Sequence, residues 1–195
     1  MDHRSGCLRG GGTLCNSGND LQRKPPQVTW IPDEDWNRIQ RLLPIVVVDL
    51  ALLSRENPPK AGLIQRETPH QGIRWNLIGG RIEYGETLDD AVLRQVRLTL
   101  GENITIDAPD ASRPHYVAQY APIQRPQFSF DPRKHAVGLT YAVTAHGDAR
   151  PDGEALSFSW FELQSLPPRD QWGFQQDRVA ENCYRNAGFN VTFSS

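Results

Sequence analysis

The chain has 195 residues, a formal net charge of −2 and 23% charged residues. That is the size of one domain with a short appendage, and it excludes the broad basic field that draws nucleic acid to a protein surface. No stretch approaches the roughly 18 consecutive apolar residues of a membrane span and the N-terminus lacks the apolar core of a signal peptide, so a cytoplasmic protein without a membrane partner is expected.

Residues 1–26 are rich in Gly, Ser, Asn and charge with no apolar period, and read as a flexible extension before a domain over 27–195. Two of the three cysteines, Cys7 and Cys15, fall there. With Cys183 they show no zinc spacing, the pattern of free thiols in a reducing compartment. Pro32 and the acidic run Asp33-Glu34-Asp35 start a helix whose Trp36, Ile39, Leu42 and Leu43 are expected to pack over one end of a sheet. Ile45 to Leu53 is an apolar, β-branched run and reads as a buried strand, interrupted by Asp49. A carboxylate there needs a partner, because burying it alone is costly. Two readings stay open for Asp49: a strand-end group tied to a backbone N–H or an arginine, or a polar group pointing into a ligand cleft.

After the turn at Glu56-Asn57-Pro58-Pro59, Gly62–Gln65 reads as a hairpin partner. Ile73–Ile78 is a strand in which Trp75 and Leu77 alternate against Arg74 and Asn76, and it ends at Gly79-Gly80, where bare backbone can approach a phosphate or its metal. Thr87 and Asp90 then cap a helix with the buried stripe Leu88, Ala91, Val92, Val96 and Leu100, and Gly101 ends it. Beyond it, His115–Tyr120 reads as a strand, followed by a long stretch, 121–135, with prolines, Arg125, Arg133, Phe128 and Phe130. That stretch suits a lid that stacks on a base and pairs with phosphates; packing of the two phenylalanines on the domain edge is the plainer reading. Strands over Ala136–Ala145 and Ala155–Phe161 and a helix over Phe174–Ala187, with Val179, Cys183 and Tyr184 on one side, complete the chain. This order is an α/β sandwich and not a regular βαβ series.

The stretch from Gly79 to Gly101 resembles the box of the Nudix hydrolases, G-x5-E-x7-R-E-U-x-E-E-x-G-U with U a bulky aliphatic residue. Gly80, Glu86, Arg94, Val96 and Gly101 match it, whereas Gln95, Leu98 and Thr99 replace the three helix glutamates and Glu102 the last aliphatic. Over roughly residues 30–188 the resemblance is closest to the GDP-mannose mannosyl hydrolase branch: Ile31-Pro32 through Trp36, Pro44 through Asp49, Arg66 through Gly72, Trp75 through Ile82 and Glu86 through Arg94 follow its motifs. It is also similar to an actinobacterial Nudix-like domain of unknown function.

The resemblance implies a Nudix α/β/α sandwich with a mixed β-sheet. It further implies a hydrolase of a nucleoside diphosphate linked to another moiety, most of all a nucleotide sugar, assisted by Mg²⁺ or Mn²⁺. The Gly79 carbonyl and Glu154 would hold the metal, Asp49, Arg66 and Arg81 would face the substrate, and His135 matches a histidine near the start of a later strand. His135 or Asp49 would handle the proton. Glu86 with Arg94 is read either as a pair anchoring the box loop or as part of the catalytic machinery. Ala155 stands where that branch carries a general-base histidine, and with the box glutamates replaced the metal is expected to bind weakly without substrate. A catalytically silent Nudix-fold domain that binds or senses a nucleotide is the alternative. A homodimer is the candidate assembly, since the related hydrolases often dimerise.

Overall fold

The computed structural model describes residues 31–195 apart from Ala108 and Ala111. The extension expected over 1–26, with Cys7 and Cys15, lies outside the described residues.

The molecule is built on β1 (Ile45–Ser54), which runs parallel to β8 (Ala136–Gly147) along its whole length, from Ile45 opposite Ala136 to Ser54 opposite Ala145. Its other edge is shared. Val47–Leu50 pair antiparallel with β4 (Ile78–Arg81), and Leu52–Leu53 pair antiparallel with β2 (Lys60–Thr68). The change of partner follows from a break at Leu77 in what the sequence suggests is one strand: β3 (Gly72–Asn76) stays on β2 while β4 crosses to β1. Leu77, out of both ladders, donates its N–H to Gln176 Oε1 at 2.9 Å. A buried backbone donor must find such a partner. β9 (Ser157–Glu162) extends the sheet beside β2, and β6 (Tyr116–Ala121) pairs antiparallel with β8. Two further strands, β5 (Ile104–Ile106) on β8 and β7 (Ser129–Phe130) on β6, are too short to give a periodic signal in sequence.

Alternation along β1 sorts the core into two layers. Val48, Leu50 and Leu52 face a cluster that contains Ala91, Val92, Val96 and Leu100 of α2 (Leu88–Leu100). Val47, Ala51 and Leu53 face Val179, Ala180, Cys183 and Tyr184 of α3 (Gln176–Asn186). Helix, mixed sheet, helix is the α/β/α sandwich expected from the sequence. α2 is capped as its sequence predicts at the first step, Asp90 N donating to Thr87 Oγ1 at 3.2 Å. The Asp90 carboxylate, however, takes the Thr87 hydroxyl at 2.7 Å and does not reach back to the backbone. Cys183 is a free, buried thiol that burial pushes up to about 12.

Two elements differ from expectation. α1 (Asp33–Leu42) forms at its acidic start but buries none of its residues; Leu42 and Leu43 stay 68% and 61% exposed. Its Trp36 ring instead lies under the Arg81 guanidinium, with Cζ 5.1 Å from the centroid. α3 starts at Gln176 and not at Phe174, because Phe174 and Gln175 hold left-handed backbone, φ 53° and 56°. Among the described residues no helix is long and apolar enough to cross a membrane.

Candidate functional site

Asp49 points to the α3 side of β1, where its neighbours Val47 and Ala51 are core, and it is only 4% exposed. Room for the carboxylate comes from the strands on either side. A Cβ on Gly79 of β4 would strike Asp49 Oδ1, and a Cβ on Gly138 of β8 would sit 2.6 Å from Oδ2. Tyr120 of β6 donates its hydroxyl to Oδ2 at 2.8 Å, and Gln176 Nε2 lies 3.4 Å from that hydroxyl. Burial pushes the Asp49 carboxyl up to about 6, against the opposing pull of the Tyr120 hydrogen bond and of Lys134 and Arg66.

The carboxylate forms part of the wall of a cavity of about 170 Å³ lined also by Arg66, Gly79, Glu154, Tyr120, Arg133 and Lys134. Arg66 Nη1 donates to Glu154 Oε1 at 2.7 Å, while its buried Nε has no partner among the described residues. Burial pulls the Arg66 guanidinium below its usual value. Glu154 is presented by a connection that α2 holds: Asp152 N donates to the Thr99 carbonyl at 2.9 Å and Arg150 N to the Leu100 carbonyl at 2.8 Å. The last turn of a helix leaves such carbonyls free. The box helix therefore reaches the site through its backbone.

Opposite, Arg133 is locked to Asp131 by two bonds, Nε to Oδ1 at 2.9 Å and Nη2 to Oδ2 at 2.8 Å. Its guanidinium lies over the Phe174 ring at 4.6 Å, and Arg66 approaches the same ring at 5.7 Å. The left-handed turn that brings Phe174 there is held by glutamines. Phe174 N donates to Gln71 Oε1 at 3.1 Å, and Phe130 N to Gln175 Oε1 at 3.2 Å.

Of the residues singled out in sequence, Asp49, Arg66, Gly79 and Glu154 thus meet in one cavity, and Arg81, His135 and Glu86 stand outside its wall. Arg81 stacks on Trp36. His135 lies beside a groove with Leu42, Leu43 and Pro44, its ring 5.9 Å from Phe128 and its buried Nε2 without a partner among the described residues. Glu86 takes Arg94 Nη2 at 2.7 Å and the backbone N of Glu83 at 2.8 Å, and Arg94 also bonds the Arg81 carbonyl at 2.9 Å. That is the geometry of a loop anchor. Arg133 was read in sequence only as an arginine of the stretch 121–135 suited to phosphates, and Tyr120, Asp131, Lys134, Phe174 and Gln176 were missed as wall residues. The same stretch was the signal for Asp131 and Lys134; nothing local marks Phe174.

The donors present do not make a preformed divalent-metal site. In the antiparallel ladder Ile82 N donates to the Val46 carbonyl, which puts Gly79 at a position whose amide and carbonyl face away from β1. Its carbonyl is a usable oxygen. But Glu154 is paired with Arg66, Asp49 is held by Tyr120, and α2 offers Gln95, Leu98 and Thr99 where hard cations need carboxylates. Gln95 packs against Gly80, and Leu98 is exposed. Among the described residues no group of three His, Cys, Asp or Glu could hold a metal ion.

Comparison with known proteins agrees with this architecture. A structure of a "possible asymmetric diadenosine tetraphosphate (Ap4A) hydrolase" from Jonesia denitrificans superposes with a TM-score of 0.68 at 29% identity, covering 75% of this chain and 96% of that one. The NUDIX domain of Shewanella oneidensis NrtR, complexed with ADP ribose, superposes with a TM-score of 0.54 at 17% identity over 82% of this chain and 95% of that one, a likeness of fold. Over 88 residues the chain is 34% identical to the low-salt glycan biosynthesis protein Agl8 of Haloferax volcanii; the match takes in 45% of this chain and spans about half, 54%, of that relative. Residues 26–177 match the family described as Domain of unknown function (DUF4916), and with the fold it shares with Nudix hydrolases the chain belongs to that family.

Proposed function

We propose that the cavity takes the diphosphate of a nucleoside diphosphate linked to another group, a nucleotide sugar first among them, and that the protein hydrolyses that linkage. The observation that carries this reading is the convergence of Asp49, Arg66, Gly79 and Glu154, from four separate segments, on one cavity. At about 170 Å³ the cavity has room for a phosphate-bearing group but not for a whole nucleotide. The base would lie outside, toward the stretch 121–135. Asp49, buried and fixed by Tyr120, is the group placed to take a proton from an attacking water, a role that contributes typically 10²- to 10⁴-fold. Arg66 would meet charge developing on the phosphate oxygens. The Jonesia likeness supports a nucleotide anhydride as substrate, and the Agl8 likeness supports a sugar on the other side.

A second reading, a domain that binds such a nucleotide without turning it over, is favoured by the replacement of the box glutamates by Gln95, Leu98 and Thr99. One experiment separates the two. Release of sugar, monophosphate and nucleotide is followed for a panel of nucleotide sugars and ADP-ribose, in Mg²⁺, Mn²⁺ or EDTA, for the natural protein and Asp49→Asn. Turnover that drops by about 100-fold or more in Asp49→Asn is the outcome expected of the hydrolase. Silence across the panel, with thermal stabilisation by one nucleotide, replaces it with the binding reading.

A further inference from the structure

The charges around the cavity are unevenly partnered. Arg66 is paired with Glu154, and Arg133 is chelated by Asp131. Asp49 has the Tyr120 hydroxyl. Lys134, which shares the wall with all of them, has an ammonium with neither an ion pair nor a hydrogen bond among the described residues. Burial, and next the like charge of Arg133, pull it below its usual value. The carboxylates of Asp131 and Asp49 act on it from the same wall but neither bonds it, and a half-buried ammonium without a bonded oxygen is an incomplete arrangement that a ligand oxygen completes. Its two cationic neighbours are held in place from both sides. Phe174, in left-handed backbone that a phenylalanine adopts only under constraint, lies under Arg133 and Arg66 together and is tied by Gln71.

We infer that Lys134, with the anchored Arg133 and Arg66, forms a cationic cradle that takes the phosphate charge of the ligand without a divalent cation. The inference rests on the reading of the cavity as a diphosphate site and assigns the groups that perform the neutralisation. Three cations beside one small cavity, two of them locked by carboxylates, are placed to meet a diphosphate as a bound dication does elsewhere in chemistry of this kind. This also accounts for a wall in which the carboxylates are spent on arginines. Glu154 and Asp131 orient cations here. Phe174 is a positioning residue: its ring sets where the two guanidiniums stand and has no part in the charge itself.

The test is calorimetric binding of inorganic diphosphate to the full chain in EDTA and again in excess Mg²⁺, with Lys134→Gln and Lys134→Arg as variants. Binding in EDTA no weaker than in Mg²⁺ is expected, with affinity about tenfold lower in Lys134→Gln and within about threefold of the natural protein in Lys134→Arg. Both variants should keep the thermal midpoint of the natural protein. A midpoint that falls in Lys134→Gln and recovers in Lys134→Arg without any change in affinity would make the lysine structural and overturn the inference. Binding that appears only with Mg²⁺, or none with either up to about 10 mM diphosphate, overturns it as well. The outcome is separable from that of the hydrolysis panel. Metal-free capture of diphosphate with no nucleotide sugar turned over leaves the cradle standing and removes the hydrolase. Turnover that requires Mg²⁺ even for ligand capture does the reverse.

Discussion

Asp49 holds its proton more tightly in the folded chain, where its carboxyl is pushed up to about 6, than in the unfolded chain, where 3.8 is usual. The folded state therefore binds the additional proton between those values. Stability is fullest below about pH 4 and is lost as pH rises through about 6, by about 3 kcal/mol at most for this group. Asp49→Asn should flatten that slope and raise stability at pH 8, read by urea unfolding from pH 4 to 8. Glu86 works with the opposite sign. Its bonds from Arg94 hold its carboxyl below the usual range, so its contribution is present above that range and fades as pH falls through the lowered value. Arg94→Ala, which releases Glu86 and the Arg81 carbonyl together, should cost about 2 kcal/mol in the same unfolding experiment at pH 7. In sequence the two carboxylates look alike. Asp49 was legible as a buried carboxylate in need of a partner, but the partner, Tyr120, comes from a strand far along the chain, and no local pattern names it.

At the scale of elements, the strands around β1 are shaped by what they must not carry. Gly138 looks like an unremarkable glycine in an alternating strand, yet a methyl there would meet the Asp49 carboxylate and come within 3.0 Å of the Tyr120 ring. Gly138→Ala should destabilise by about 1–3 kcal/mol and weaken ligand binding, and calorimetry with unfolding at pH 7 would read both. α2 is the element most fully announced by its sequence, from the Thr87 cap to Gly101. Leu100→Ala, at a fully buried position under the sheet, should cost about 3 kcal/mol by urea unfolding. Its role was less legible than its helicity, because the residues that matter to the site are the carbonyls of Thr99 and Leu100, and every residue has one. The start of α3 shows the same limit. Its apolar spacing is readable, but the left-handed pair Phe174-Gln175 is tied to distant segments, Phe174 N to Gln71 and Gln175 Oε1 to Phe130 N, and leaves no trace in the local pattern.

For the whole molecule, the order of elements gave an α/β sandwich, since a doubly buried strand and amphipathic helices have few ways to cover one another, and the α/β/α layering with a mixed sheet came from the resemblance. The site required the tertiary fold. Its wall is drawn from β1, β2, β4, β6, the connections at 131–134 and near Glu154, and the turn before α3. The forked edge of β1 has a consequence for how such a protein can change. Asp49 belongs to the strand locked in register with β8 over ten consecutive pairs, while Arg66 rides on the β2 arm, Glu154 on the connection held by the end of α2, and Arg133 and Lys134 on a connection at the opposite edge. Insertions in those outer segments would alter the reach and chemistry of the walls and leave the floor where it is. A scaffold divided in this way can be retuned toward a new ligand one wall at a time.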